Sequence, residues 1–228
     1  MSDFKSLKGL FIKHVSGDPS NLIEGQIWYN TTTQSLKVAP QIAAWAAGGN
    51  LTTARYMLAG CGTQTAGLVF GGDASPPHED KTEEYDGSSW TESGDLNTVR
   101  QTSATAGTQT AALCAGGDGS VLAVSEEYDG STWTEGPDLN TARKGLIGSG
   151  TQTAALAFGG YSTTYSADAE TYDGTSWTEG PNLATARANL AGAGTSLVAF
   201  AAGGHTGSVS NATDEFTSVA TARSVDTT

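Results

Sequence analysis

The chain is short of charge, and shortest of positive charge. Only 15% of its 228 residues are charged, and 11 Lys and Arg face 24 Asp and Glu, for a formal net charge of -13. The few basic residues are scattered rather than clustered, so phosphate backbones find no counterpart and no nucleic-acid partner is expected. No apolar run approaches the roughly 20 residues that cross a bilayer, so no membrane insertion is expected. The opening stretch MSDFKSLKGLFIKHVSGDP holds only the short apolar core GLFI, too small for a secretory signal; the expectation is synthesis in a cytoplasm without a cleaved leader.

Reactive side chains are equally scarce. The two cysteines occupy places where other copies of an internal repeat carry small residues: Cys61 stands against Ala106, Ser149 and Ala193, and Cys114 against Val69, Ala157 and Ala201. Both read as core-filling positions. His14, His78 and His205 fall in unrelated contexts without metal-ligand spacing. Neighbouring acids such as Glu83 and Glu84 alternate across a strand and do not face each other, and no nucleophile elbow or phosphate loop is present. The chain reads as non-enzymatic, with no metal and no cofactor.

What is plentiful is glycine, at 30 residues, together with Thr, Ser and Ala. This composition suits a turn-rich all-β protein. The phrase GTQTAGLVFGG begins at Gly62, GTQTAALCAGG at Gly107, GTQTAALAFGG at Gly150 and a looser GTSLVAFAAGG at Gly194, with spacings of 45, 43 and 44 residues. A Trp is followed ten residues later by an Arg four times: Trp45 and Arg55, Trp90 and Arg100, Trp133 and Arg143, Trp177 and Arg187. Between these landmarks lie EEYDGSSW (83–90), EEYDGSTW (126–133) and ETYDGTSW (170–177), whose Asp-Gly pairs predict hairpins. Each period therefore predicts four short strands: an apolar strand such as TQTAALAF, an acid–Tyr strand, a Trp strand, and a nearly bulkless strand such as LATARANLAGAG near a central axis. The last period has Phe216 in place of Tyr and no Trp strand, whereas residues 41–55 form a Trp strand without a period of their own. The expectation is that the two ends close a four-bladed ring; the rival is a partial ring completed by other subunits.

Gly71, Gly72, Tyr85 and Trp90, then Gly116, Gly117, Tyr128 and Trp133, then Gly159, Gly160, Tyr172 and Trp177 carry a resemblance to the kelch motif of β-propellers, covering about residues 41–217. The wording is similar to kelch-like proteins of bacteriophages, and SGDPSNLIEGQIWYNTTTQSLKV (16–38) resembles a short module near the start of phage tail-fibre and other virion proteins. Read physically, that module is a hairpin of GQIWYN and SLKV around TTTQ. The resemblance implies a virion protein in which residues 1–40 attach to other virion proteins and residues 41–228 form a displayed kelch-like propeller. Its expected partner is a host-surface glycan or protein, with self-association as a further expectation; an intracellular kelch-type scaffold is the alternative, and a carbohydrate-active enzyme the weaker one.

The repeated Arg55, Arg100, Arg143 and Arg187 are expected to pair with Glu83, Glu126, Glu170 and Asp214 and hold the units together, and Trp45, Trp90, Trp133 and Trp177 to pack between them. The loops after the glycine pairs differ from copy to copy. Exposed loops on a rigid scaffold are where recognition resides, so His78, Tyr161, Tyr165 and His205 are the candidate binding residues.

Overall fold

The computed structural model describes residues 12–20, 22, 26–39, 45–74 and 78–218, and every regular element among them is a strand. Met1–Ala47 and Gly48–Thr228 form separate units.

In the first unit, β1 (Lys13–Val15) runs parallel to β2 (Ile27–Asn30), which pairs antiparallel with β3 (Ser35–Val38). The hairpin turns at the Thr-rich tetrapeptide, where the Asn30 side-chain oxygen accepts the backbone N–H groups of Thr32 and Thr33, both at 3.0 Å. Asp18 in turn accepts Trp28 Nε1 at 3.0 Å and Asn30 Nδ2 at 2.9 Å. These two bonds favour the carboxylate and hold Asp18 below its ordinary pKa.

The second unit is four sheets in chain order. The first contains β4 (Ala59–Thr63), β5 (Ala66–Phe70), β6 (Thr82–Tyr85) and β7 (Trp90–Glu92). The second contains β8 (Ala104–Thr108), β9 (Ala111–Ala115), β10 (Ser125–Tyr128) and β11 (Trp133–Glu135). The third contains β12 (Ile147–Thr151), β13 (Ala154–Phe158), β14 (Ala169–Tyr172) and β15 (Trp177–Glu179). The fourth has three strands: β16 (Ala191–Gly194), β17 (Val198–Ala202) and β18 (Thr213–Thr217). Within each sheet neighbouring strands are antiparallel and follow chain order.

The repeated phrase is a hairpin, not the single strand that TQTAALAF suggested. Thr151 pairs with Ala154, so Gln152 and Thr153 form the turn. Gly150 sits at φ 110°, where a Cβ would lie 2.3 Å from the Ala154 carbonyl oxygen. Only glycine meets both demands. In consequence LAGAG does not end its own sheet; it is the first strand of the next.

The side chains of each second strand divide between two interfaces. Ala155 and Ala157 face the second sheet with Leu113, Ala115 and Trp177, whereas Leu156 and Phe158 face the fourth with Ala199 and Ala201. Strands covered on both faces carry apolar residues at every position, and β13 is such a strand. The first strands adjoin one another in the order β4, β8, β12, β16; β16 does not return to pack on β4 as its predecessors pack on each other. The expected end-to-end closure is not seen among the described residues, where Trp45 is fully exposed; residues 41–44 of the expected Trp strand lie outside them.

Candidate functional site

Each sheet is joined to the chain before it by an arginine. Arg143 is fully buried; its Nη1 donates to the Gly159 carbonyl at 3.0 Å and the Asp168 carbonyl at 2.6 Å, and its Nη2 donates to Glu170 at 2.7 Å. Arg100 repeats the set with Gly116, Val124 and Glu126, and Arg55 with Gly71, Lys81 and Glu83. The carboxylate's other oxygen accepts backbone N–H from Thr52, Asn97 and Asn140 in turn. A buried ion pair is tolerated when its remaining donors and acceptors are also met, as at Arg100 and Arg143, whose Nε atoms donate to the Thr98 and Thr141 carbonyls; Arg55 Nε has no partner. Burial presses the Arg55 and Arg143 pKa values down, and the facing carboxylates oppose that. Arg187 lies 2.8 Å from Asp214, yet its buried Nε and Nη1 have no partner. These guanidinium groups are sealed inside the sheets and cannot meet a ligand.

Three further connectors join the second sheet to the first and the third to the second, none of them paired from the sequence. Tyr128 donates to Glu84 at 2.5 Å and Tyr172 to Glu127 at 2.6 Å. Trp133 Nε1 donates to the Thr82 hydroxyl at 2.9 Å, and Trp177 Nε1 points at Ser125 at 3.5 Å. Gln109 and Gln152, at the hairpin turns, each clasp two carbonyls of the preceding sheet: Gly67 and Tyr85, then Ala112 and Tyr128. The invariant Gln of the GTQT phrase was the signal for this last contact. Burial, reinforced by the bond to Glu84, pushes the Tyr128 hydroxyl up to about 12.

Of the four candidate loop residues, three come together. Tyr161 and Tyr165 meet edge to face with centroids 5.2 Å apart, and Tyr165 packs on His205 at 5.5 Å. The Tyr165 hydroxyl and His205 Nδ1 are hydrogen-bonded at 2.6 Å. Tyr161 bridges Lys144 and His205 bridges Ala188 through the backbone, which fixes both loops where a glycine pair ends a second strand. All three side chains are half-exposed. His78 stands apart in the first sheet's loop, 3.6 Å from Asp73. On the same loop ends, Lys144 pairs with Asp118 at 3.0 Å and the Tyr56 hydroxyl bonds Asp73 at 3.3 Å. The aromatic cluster offers ring edges, one imidazole and hydroxyl hydrogen-bonding capacity at the surface. Among the described residues no group of three His, Cys, Asp or Glu side chains could hold a metal ion. Cys61 and Cys114 are free thiols, and burial raises both pKa values, Cys61 to about 11.

No protein-family model matches the chain, and no curated protein matches it.

Proposed function

We propose that the four sheets are blades of a kelch-like propeller and that the chain is a non-enzymatic bacteriophage virion protein, with residues 1–40 joining it to the particle and the loop ends displayed for attachment to a host surface. The observation that carries the binding half of this reading is the convergence of Tyr161, Tyr165 and His205 from two loops that differ between copies, on sheets whose frame is nearly the same in every copy. Rigid repeats that present unlike loops suit recognition better than catalysis. The virion half rests on the resemblance of residues 16–38 to virion modules, and Asp18, Trp28 and Asn30 give that stretch a hydrogen-bonded frame of its own.

The test is immunogold labelling of purified phage particles with an antibody against the sheet unit, alongside the same particles carrying a chain without residues 1–40. Gold at a defined position that vanishes with the deletion supports the reading. Abundant protein in host lysate with bare particles overturns it in favour of an intracellular scaffold.

A further inference from the structure

The fourth sheet is built to receive something that the described residues of this chain do not place on it. Each earlier sheet has a forward face, covered by the next sheet, and the residues of that face recur at fixed positions. Leu68, Leu113 and Leu156 are 1%, 2% and 1% exposed, whereas Phe200 at the same position is 44% exposed. The acceptors recur as well. Thr82 and Ser125 receive a Trp from the next sheet, and Glu84 and Glu127 receive a Tyr. Thr213 and Glu215 hold these same positions in β18, both exposed, with no side-chain donor among the described residues.

The matching donors stand on the backward face of the first sheet. Tyr85 and Trp90 are stacked with centroids 4.8 Å apart, as Tyr172 and Trp177 are at 4.9 Å. Yet Trp90 is only half-buried, where Trp133 and Trp177 are 5% and 7% exposed. Gln64, at the turn position of Gln109 and Gln152, is exposed and clasps nothing.

A backbone ladder is open at the same two ends. Met57, Thr102, Gly145 and Asn189 all take left-handed φ values of 53–61°. Thr102 N–H donates to the Met57 carbonyl at 3.2 Å, Gly145 to Thr102 at 3.0 Å, and Asn189 to Gly145 at 2.8 Å. The Met57 N–H and the Asn189 carbonyl are left as the two free rungs.

Finally, a cavity of about 360 Å³ lies between the third and fourth sheets, bounded by Leu156, Ala169, Leu183, Ala199, Ala201 and Phe216. These are the positions that, one sheet earlier, surround the Trp177 indole with Leu113, Leu139, Ala155, Ala157 and Tyr172. The cavity is an indole slot without its tryptophan. Trp45 is the unassigned indole of the repeat, and residues 48–55 follow the path of the chain after Trp90. A Cβ on Gly49 would lie 2.6 Å from the Ser88 carbonyl oxygen, as one on Gly94 would lie 2.2 Å from that of Ser131. Gly48 lies against the Tyr85 hydroxyl, at 3.1 Å from such a Cβ. Three residues reach at most about 11 Å, so Trp45 can serve only a sheet directly behind the first sheet. Among the described residues β16 does not pack along β4 as β8 does, so the fourth sheet does not take that place within one chain.

We propose that a second copy of this chain docks head to tail on the fourth sheet, with its first sheet on the forward face and its Trp45 in the indole slot. Tyr85 then donates to Glu215, Trp90 to Thr213, Gln64 to the Ala199 and Phe216 carbonyls, and Met57 N–H to the Asn189 carbonyl, repeating the contacts inside the chain. Such a contact is heterologous, so copies form a closed ring or a linear series. This does not depend on the virion reading.

The experiment uses the full chain and two variants at exposed positions, Trp45→Ala and Phe200→Asp, followed by sedimentation velocity and mass photometry. The parent chain assembles with rising concentration. Each variant alone stays monomeric with an unchanged β-sheet spectrum and urea midpoint. Mixing the two restores one intact junction and yields a 1:1 dimer that does not grow. A parent chain that is monomeric at every concentration overturns the proposal in favour of closure within one chain. An assembly that survives both substitutions, or a mixture that stays monomeric, overturns it as well.

Discussion

Two interfaces in one repeat array can be set side by side. Between the second and third sheets every connector is made: Tyr172 reaches Glu127, Trp177 points at Ser125, and Gln152 clasps two carbonyls. Arg143 has a partner on each of its three nitrogens at the entry to the third sheet. Between the third and fourth sheets Phe216 replaces the tyrosine, Thr171 the glutamate, Ala169 the hydroxyl, Ser196 the glutamine, and Asp214 the longer glutamate. At the tyrosine–glutamate and tryptophan–hydroxyl points the side-chain donor and acceptor have gone together. A buried donor left facing a missing acceptor costs about 1–3 kcal/mol, whereas removing both partners is nearly neutral. The third–fourth interface is thus held mainly by apolar contact, from Leu156, Phe158, Ala199 and Ala201, with the Tyr165–His205 bond and the Asn189-to-Gly145 backbone bond beside it. Apolar contact is non-directional, so this joint is the loosest in the unit even though its sequence looks most like filler.

The largest effect should separate the two arginines. Arg143→Ala leaves a buried Glu170 without its cation and two carbonyls without donors, and should cost about 3–5 kcal/mol. Arg187→Ala removes a guanidinium with two atoms already unpartnered, facing an Asp214 side chain that is 22% exposed, and should cost about 1–2 kcal/mol. Urea midpoints of the two variants measure the difference. Equal losses would mean that the fourth sheet is locked as tightly as the third.

A gain should follow from restoring what the last interface lacks. Thr171→Glu with Phe216→Tyr rebuilds the pair seen at 2.6 Å between Glu127 and Tyr172. Each change alone adds a polar group without its partner and should be neutral or slightly harmful. Together they should show a favourable coupling of about 1 kcal/mol in a double-mutant cycle. Absence of coupling would place the fourth sheet out of register with its predecessors.

These contrasts explain what could be read from the sequence and what could not. The periods and the three Asp-Gly hairpins were visible because local spacing encodes them, and the arginine–acid pairing followed from its repetition. The hairpin inside GTQT was missed because Gln and Thr carry no turn signature, and the turn rests on the left-handed backbone of Gly150 instead. The Tyr–Glu and Gln–carbonyl connectors were missed because they join residues 24 to 45 positions apart, and no local pattern tells which face of a strand meets which neighbour. Of the candidate site, Tyr161, Tyr165 and His205 were named from loop differences alone, but their convergence depends on how adjacent sheets set their loops. His78 shares the sequence context and not the place.

The smallest effect concerns pH and again divides the first three sheets from the fourth. Asp86, Asp129 and Asp173 cap their hairpins, each accepting two backbone N–H groups and a hydroxyl, and these bonds bring Asp86 and Asp129 down to about 2 and lower Asp173 too. The fourth sheet has no such turn among the described residues. A carboxylate whose folded pKa lies below its unfolded value of about 3.9 stabilises the fold above that value, and the contribution disappears as pH falls through the folded pKa. Stability should therefore decline between about pH 4 and pH 2, and Asp129→Ala should flatten that limb while lowering the plateau at neutral pH. Because the carboxylates are exposed, each step is small. At the other extreme Tyr128, held up to about 12, contributes fully below its unfolded value of about 10 and loses that contribution as pH rises toward 12. Tyr128→Phe should flatten only the alkaline limb of urea midpoint against pH. If both variants shifted the same limb, the hairpin caps and the inter-sheet tyrosines would not be acting as separate parts of the frame.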